Sequence, residues 1–151
     1  MYRYRDNSGA TRLGLKRMKH LPKVGKVLEI VGKRWRGRYG LNEGVFVKGT
    51  TGTARFNSFL WSYSGEGPRG LVELLVTLGL NRQAAESFAR NTPRHDQPGI
   101  DWKISFPGHG IECQMTFWSE RPVNWQVGRV GAQRQSASKV SAPSQYIIAH
   151  F

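Results

Sequence analysis

Apolar residues recur at helical spacing in one stretch of the chain above all others. Leu71, Leu74, Leu75 and Leu78 stand at i, i+3, i+4 and i+7 and make one continuous stripe. Pro68 suits the first helical position, where an N–H has no partner to lose, and Gly79 supplies the stop. Asn81 can cap a second helix over residues 82–90, with Ala84, Ala85 and Phe88 on one face, and Thr92-Pro93 ends it. Elsewhere the period is two. Trp102, Ile104 and Phe106 alternate with polar neighbours, as do Ile111, Cys113, Met115 and Phe117, and Pro107-Gly108-His109-Gly110 between them has turn chemistry. The pattern predicts an antiparallel hairpin. Short β-branched runs at residues 27–31 and 45–48 predict two more strands, joined by a Gly/Arg connection over 32–40. Residues 50–55 read as a turn, followed by the aromatic run Phe56, Phe59, Trp61 and Tyr63.

These elements predict an α+β fold, a small antiparallel sheet packed on a two-helix pair. Trp61, Tyr63, Trp102, Phe106, Phe117 and Trp118 are its expected aromatic core. The expected organisation is a basic arm over residues 1–26, a single domain over 27–121 and a polar tail over 122–151. A short helix is expected near residues 11–20. Residues 127–144, rich in Gly, Gln, Ser and Ala, read as flexible, and the apolar residues 146–151 could dock back or stay loose. No uncharged apolar run approaches the roughly 18 residues of a membrane span, and no apolar core follows the basic N-terminus as a secretory signal would need. The one cysteine, Cys113, forms no internal disulfide. The expectation is a cytoplasmic protein without a membrane partner.

Charge sharpens this picture. The 151 residues carry 23 Lys and Arg against 10 acids, a net +13, and residues 1–38 hold twelve of the cations and only Asp6 and Glu29 of the acids. A segment so basic attracts polyanions and speeds encounter with them. Within it Lys33, Arg34, Arg36 and Arg38 crowd Trp35 and Tyr39 into seven residues, pairing phosphate-binding cations with faces on which bases stack. Arg12, Lys16, Arg17 and Lys19 complete the expected nucleic-acid-binding set. Arg82 and Arg90 alone give the second helix too few base-reading groups for groove recognition, so sequence-specific readout is not expected.

The glycines before the Leu-rich helix point to an anion seat, with Gly65 and Gly67 presenting backbone N–H groups and Arg69 adding a cation. Glu66 opposes that use, and neither the P-loop nor the dinucleotide spacing is present. A tight structural turn accounts for the same residues.

The run Phe59-Leu60-Trp61-Ser62-Tyr63-Ser64-Gly65-Glu66-Gly67-Pro68-Arg69-Gly70-Leu71 resembles a family of small uncharacterised proteins of phages, plasmids and other mobile elements. The family's hallmark is Phe-x-Trp-Gly-Tyr-Gly-Gly-Ser-Gly-Pro leading into an Ala/Leu-rich helix and then a shorter one. Here Ser62 and Ser64 replace glycines, Glu66 replaces serine, and Arg69-Gly70 stand where Ala-Gln is usual. The resemblance covers about residues 27–90. It implies a mobile-element setting and shared packing, and no particular chemistry.

Catalytic signals are sparse, and no catalytic residue, cofactor or metal is assigned. His95 beside Asp96, together with His109 in the hairpin loop, would suit metal-free RNA cleavage, but nothing in their spacing requires it. His109 and Cys113 lack the further ligands of a structural zinc site. Three functional expectations follow in order: a non-enzymatic nucleic-acid-binding accessory protein of a phage or mobile element, an anti-defence factor that binds a host nuclease or nucleoprotein complex, and a small metal-free ribonuclease.

Overall fold

A computed structural model describes residues 1–92 and 94–106, and the backbone of 112–118 and 143–150. The chain is α+β. Strand β1 (Tyr2–Asp6) leads through α1 (Thr11–Arg17) and a 3-10 turn (Met18–Val24) into the long hairpin β2 (Val27–Gly37) and β3 (Gly40–Gly49). Strand β4 (Gly52–Phe56) follows, then α2 (Glu66–Thr77), α3 (Arg82–Asn91), β5 (Gly99–Ser105), β6 (Glu112–Trp118) and β7 (Pro143–His150). The strands form one seven-stranded sheet in the order β1-β4-β3-β2-β5-β6-β7. Every pairing is antiparallel except β1 on β4, which is parallel.

The local signals behind the two central helices are explicit. The Asn81 side-chain oxygen accepts from the N–H groups of Gln83 and Ala84, as an N-cap should. At the end of α2, Gly79 takes a positive φ of 106°, and Leu80 N–H reaches back to the Leu75 carbonyl at 2.9 Å, closing the helix with a left-handed residue. Helix α2 begins at Glu66, two residues before Pro68.

One core lies between the helices and one face of the sheet. Leu71, Leu74 and Leu75 of α2 and Phe88 of α3 pack with Ile30, Val45, Val47, Phe56, Trp102 and Ile104. Trp102 meets both Trp61 and Phe88 edge-on, at centroid separations of 5.6 and 4.9 Å. Gly32 makes this possible: a Cβ there would stand 2.1 Å from the Trp102 ring, so only a residue without a side chain lets the indole lie on β2.

Several expectations are corrected. Residues 1–26 are not an arm outside the domain: β1 pairs along β4, Leu21 and Val24 are buried in the core, and Tyr4 stacks on His20 at 4.2 Å. The sheet is larger than expected and carries a parallel pair. Residues 33–37 continue β2 instead of forming a connection, and residues 52–55 belong to β4 instead of a turn. Tyr63 is exposed and not part of the core, whereas Trp61 and Trp102 are buried as expected. In the tail, residues 143–150 form β7 on β6. The loop 107–110, the side chains of Cys113, Phe117 and Trp118, and residues 127–142 lie outside the described residues.

Candidate functional site

Strand alternation divides the sheet's side chains into two sets. Ile30, Gly32 and Arg34 of β2 share the helix-covered face with Glu43, Val45 and Val47 of β3, Ala54 and Phe56 of β4, and Tyr2, Tyr4 and Asp6 of β1. The other face takes the intervening residues: Arg3 and Arg5 of β1, Arg55 of β4, Phe46 and Lys48 of β3, Lys33 and Trp35 of β2, and Lys103 of β5. The three α-helices among the described residues all pack on the first face. Across β1–β5 this second face holds six cations and one acid, Glu29, which lies opposite Lys48.

Its centre is a stack of charge and aromatic rings. Trp35 and Phe46 meet edge-on at 5.4 Å, the Arg55 guanidinium lies 5.1 Å from the Trp35 ring centre, and the Lys33 ammonium sits 4.1 Å from that of Phe46. The Trp35 indole also leans over Gly44, where an added Cβ would touch it at 3.4 Å. Burial, reinforced by the charge of Arg55, pushes the Lys33 ammonium below its usual range. Burial and the charge of Arg5 act on Arg55 in the same sense. Both shifts record first the burial of these cations and then the closeness of a second cation.

Beside this stack the sheet has a step. Strand β4 ends at Phe56, opposite Val45, so residues 40–44 of β3 project past it. The step is a cleft of about 350 Å³ lined by Trp35, Arg55, Glu43, Leu41, Leu60 and the three asparagines Asn7, Asn42 and Asn57.

The sequence-predicted residues scatter. Lys33 and Trp35 stand at the centre of the open face. Arg36 is exposed near the hairpin tip, and there Arg38 lies 5.4 Å from the ring centre of a fully exposed Tyr39. Arg34 is removed from the set: its side chain is 6% exposed, ion-paired to Glu43 at 3.0 Å and 3.8 Å from buried Asp101. Arg17 is likewise committed, to Asp6 at 2.6 Å. Arg12, Lys16 and Lys19 are exposed in the helical layer, away from the stack. Arg3, Arg5, Phe46, Lys48, Arg55 and Lys103 were missed. The alternation Tyr2-Arg3-Tyr4-Arg5 carried the signal for the first two, whereas Arg55 fell in a segment whose sequence reads as a turn.

At the expected anion seat, Gly65 and Arg69 line a surface pocket together with Tyr63, Pro68, Glu73 and Arg82. Glu66 stands in the first turn of α2, where the helix dipole favours negative charge, and pairs with Arg69 at 2.9 Å. Gly65 and Gly67 make room for Tyr63: a Cβ would fall 2.9 Å from its ring at Gly65 and 2.6 Å from its hydroxyl at Gly67.

His95 finds its carboxylate in Asp101 and not in adjacent Asp96. Its Nδ1 lies 3.0 Å from Asp101 Oδ1, while Trp61 Nε1–H donates to Oδ2 at 2.8 Å. Arg94 joins Glu43 at 3.0 Å, so Arg94, Glu43, Arg34, Asp101 and His95 form one continuous chain of polar contacts. His109 lies outside the described residues. Among those described, no group of three or more His, Cys, Asp or Glu side chains is placed to hold a metal, and no helix is long and apolar enough to cross a membrane.

Comparison with protein-family models, with curated protein sequences and with solved structures returns no match in any of the three.

Proposed function

We propose that this is a non-enzymatic nucleic-acid-binding accessory protein, acting in the cytoplasm, whose contact surface is the open face of the sheet. The observation that carries the reading is the stack of Arg55 and Lys33 on Trp35 and Phe46, bordered by Arg3, Arg5, Lys48 and Lys103. Cations at strand spacing meet successive phosphates, and aromatic rings standing on a sheet receive unstacked bases. A flat, twisted sheet face follows a flexible single strand more readily than it enters a duplex groove, so single strands are the favoured ligand. The phage or plasmid setting rests on the resemblance at residues 59–71.

The test is fluorescence anisotropy with random single-stranded and duplex oligonucleotides over a salt series, run on the intact protein. The expected result is single-strand binding whose log K falls linearly with log salt. Trp35→Ala and Lys33→Ser should weaken it, and the triple change of Arg12, Lys16 and Lys19 to Ser should leave it near wild type. Loss of binding in the triple variant alone, or no salt-dependent binding, overturns the proposal. The second of these outcomes would direct attention to a host protein as the partner.

A further inference from the structure

The step beside Trp35 carries a more specific statement, which rests on the nucleic-acid reading and deepens it. The cleft holds about 350 Å³, within the range of small-ligand sites. Besides Asn42 and the Glu43 carboxylate, its lining holds two amides whose orientation their neighbours fix. Asn57 Oδ1 accepts from Gly9 N–H at 3.1 Å, and Asn7 Oδ1 accepts from the Arg55 guanidinium at 2.7 Å. Because both partners are obligate donors, they fix the two amides' orientation: the oxygens are used and the NH₂ groups remain to donate. The Arg55 Nε–H is a further donor, with no hydrogen-bond partner among the described residues. The one carboxylate in the lining, Glu43, is already neutralised by Arg34 and Arg94. The cleft is thus a donor-rich pocket whose lining also includes Leu41, Leu60 and the Trp35 indole, with the Arg55 guanidinium stacked on that indole.

We infer that this cleft receives one unpaired base of the bound strand and selects for ring carbonyls, favouring uracil or thymine over adenine. The two carbonyl oxygens of these pyrimidines accept from the Asn7 and Asn57 amides, whereas adenine has no carbonyl, and its N1 and N7 acceptors each lie beside an exocyclic amine that meets groups that are themselves donors. The backbone then runs onto the cationic face, where Lys33 and Arg5 meet its phosphates.

The experiment compares eight-nucleotide oligo-U and oligo-A by anisotropy, for wild type, Asn57→Asp and Asn7→Ala. Aspartate keeps the oxygen that accepts from Gly9 and replaces the donor with an acceptor. Its added charge acts equally on two oligomers with the same phosphates, so the U-to-A affinity ratio is the readout. Wild type is expected to prefer oligo-U by about fivefold or more, the worth of roughly one hydrogen bond, and both variants should bring the ratio close to one. A wild-type ratio near one, or a preference that survives both substitutions, overturns the cleft assignment while leaving the sheet-face reading standing. If neither oligomer binds in a salt-dependent way, the sheet-face reading fails and this one with it. Thermal unfolding of each variant confirms that the fold is retained.

Discussion

Arg34 and Trp35 are consecutive in the chain and end on opposite faces of the sheet. The Arg34 guanidinium reaches Glu43 at 3.0 Å beneath the helices, and the Trp35 indole meets Phe46 at 5.4 Å on the open side. A motif that reads as one basic-aromatic patch is therefore split by strand geometry into a structural cation and a contact surface.

That split separates two phenotypes. Arg34→Ala leaves Glu43 and Asp101 without their shared cation, and loss of one partner from a buried ion pair costs about 3 kcal/mol. Urea unfolding should show this as a lower midpoint. Trp35→Ala should leave the midpoint nearly unchanged and cost about 1–3 kcal/mol of single-strand affinity, the usual worth of a stacked base. The reverse pattern would mean that the two faces have been assigned the wrong way round.

Salt dependence reports the β1 cations. Single-strand binding loses about 0.7 of log–log slope for each phosphate contact removed. Replacing Arg3 and Arg5 together by Ser should flatten the slope by about 1.4. An unchanged slope would place the strand away from β1.

Gly32 is a packing position. Alanine there puts a Cβ 2.1 Å from the Trp102 ring, and β2 cannot shift without disturbing pairings on both its sides. Overpacking of this kind costs about 1–3 kcal/mol. Differential scanning calorimetry of Gly32→Ala should show a clear fall in Tm, and a Tm equal to wild type would contradict the placement of Trp102.

Asp6 makes stability sensitive to acid. Burial raises its pKa, but hydrogen bonds from Ser8, Arg17 and Ser58 outweigh it and hold the carboxyl below its usual range. A folded pKa below the unfolded value, near 3.9, gives stability that is complete above about pH 4 and is lost as pH falls through the folded value. Asp6→Asn should lower Tm at pH 7, with the gap to wild type closing in acid. A gap that stays constant down to about pH 2 would assign the effect to packing alone.

The cap of α3 is local. Asn81→Ala removes the acceptor for Gln83 and Ala84 N–H and should cost about 1 kcal/mol, with Asn81→Gly costing a few tenths. Chemical denaturation of the two variants measures the difference.

The sequence by itself determined the elements whose cause is local. The 3.6-residue stripe of Leu71 to Leu78, the Asn81 cap and the Gly79 stop place α2 and α3 to within two residues at their ends, because caps and periodicity act within one or two turns of chain. The alternation at Trp102, Ile104 and Phe106 likewise locates β5. Tertiary structure decided which side each cation faces and what it meets. Tyr2–Asp6 becomes a strand because β4 offers it a parallel partner fifty residues away. Residues 33–37 stay in β2 because Arg34, poorly suited to burial alone, finds Glu43 across the hairpin and Asp101 across β5. The open face took shape only through that pairing, since strands distant in sequence had to align before Arg55, Phe46, Trp35 and Lys33 could meet. Composition could count the charge. Only the register of the sheet could sort it into ion pairs on one side and cations stacked on aromatic rings on the other.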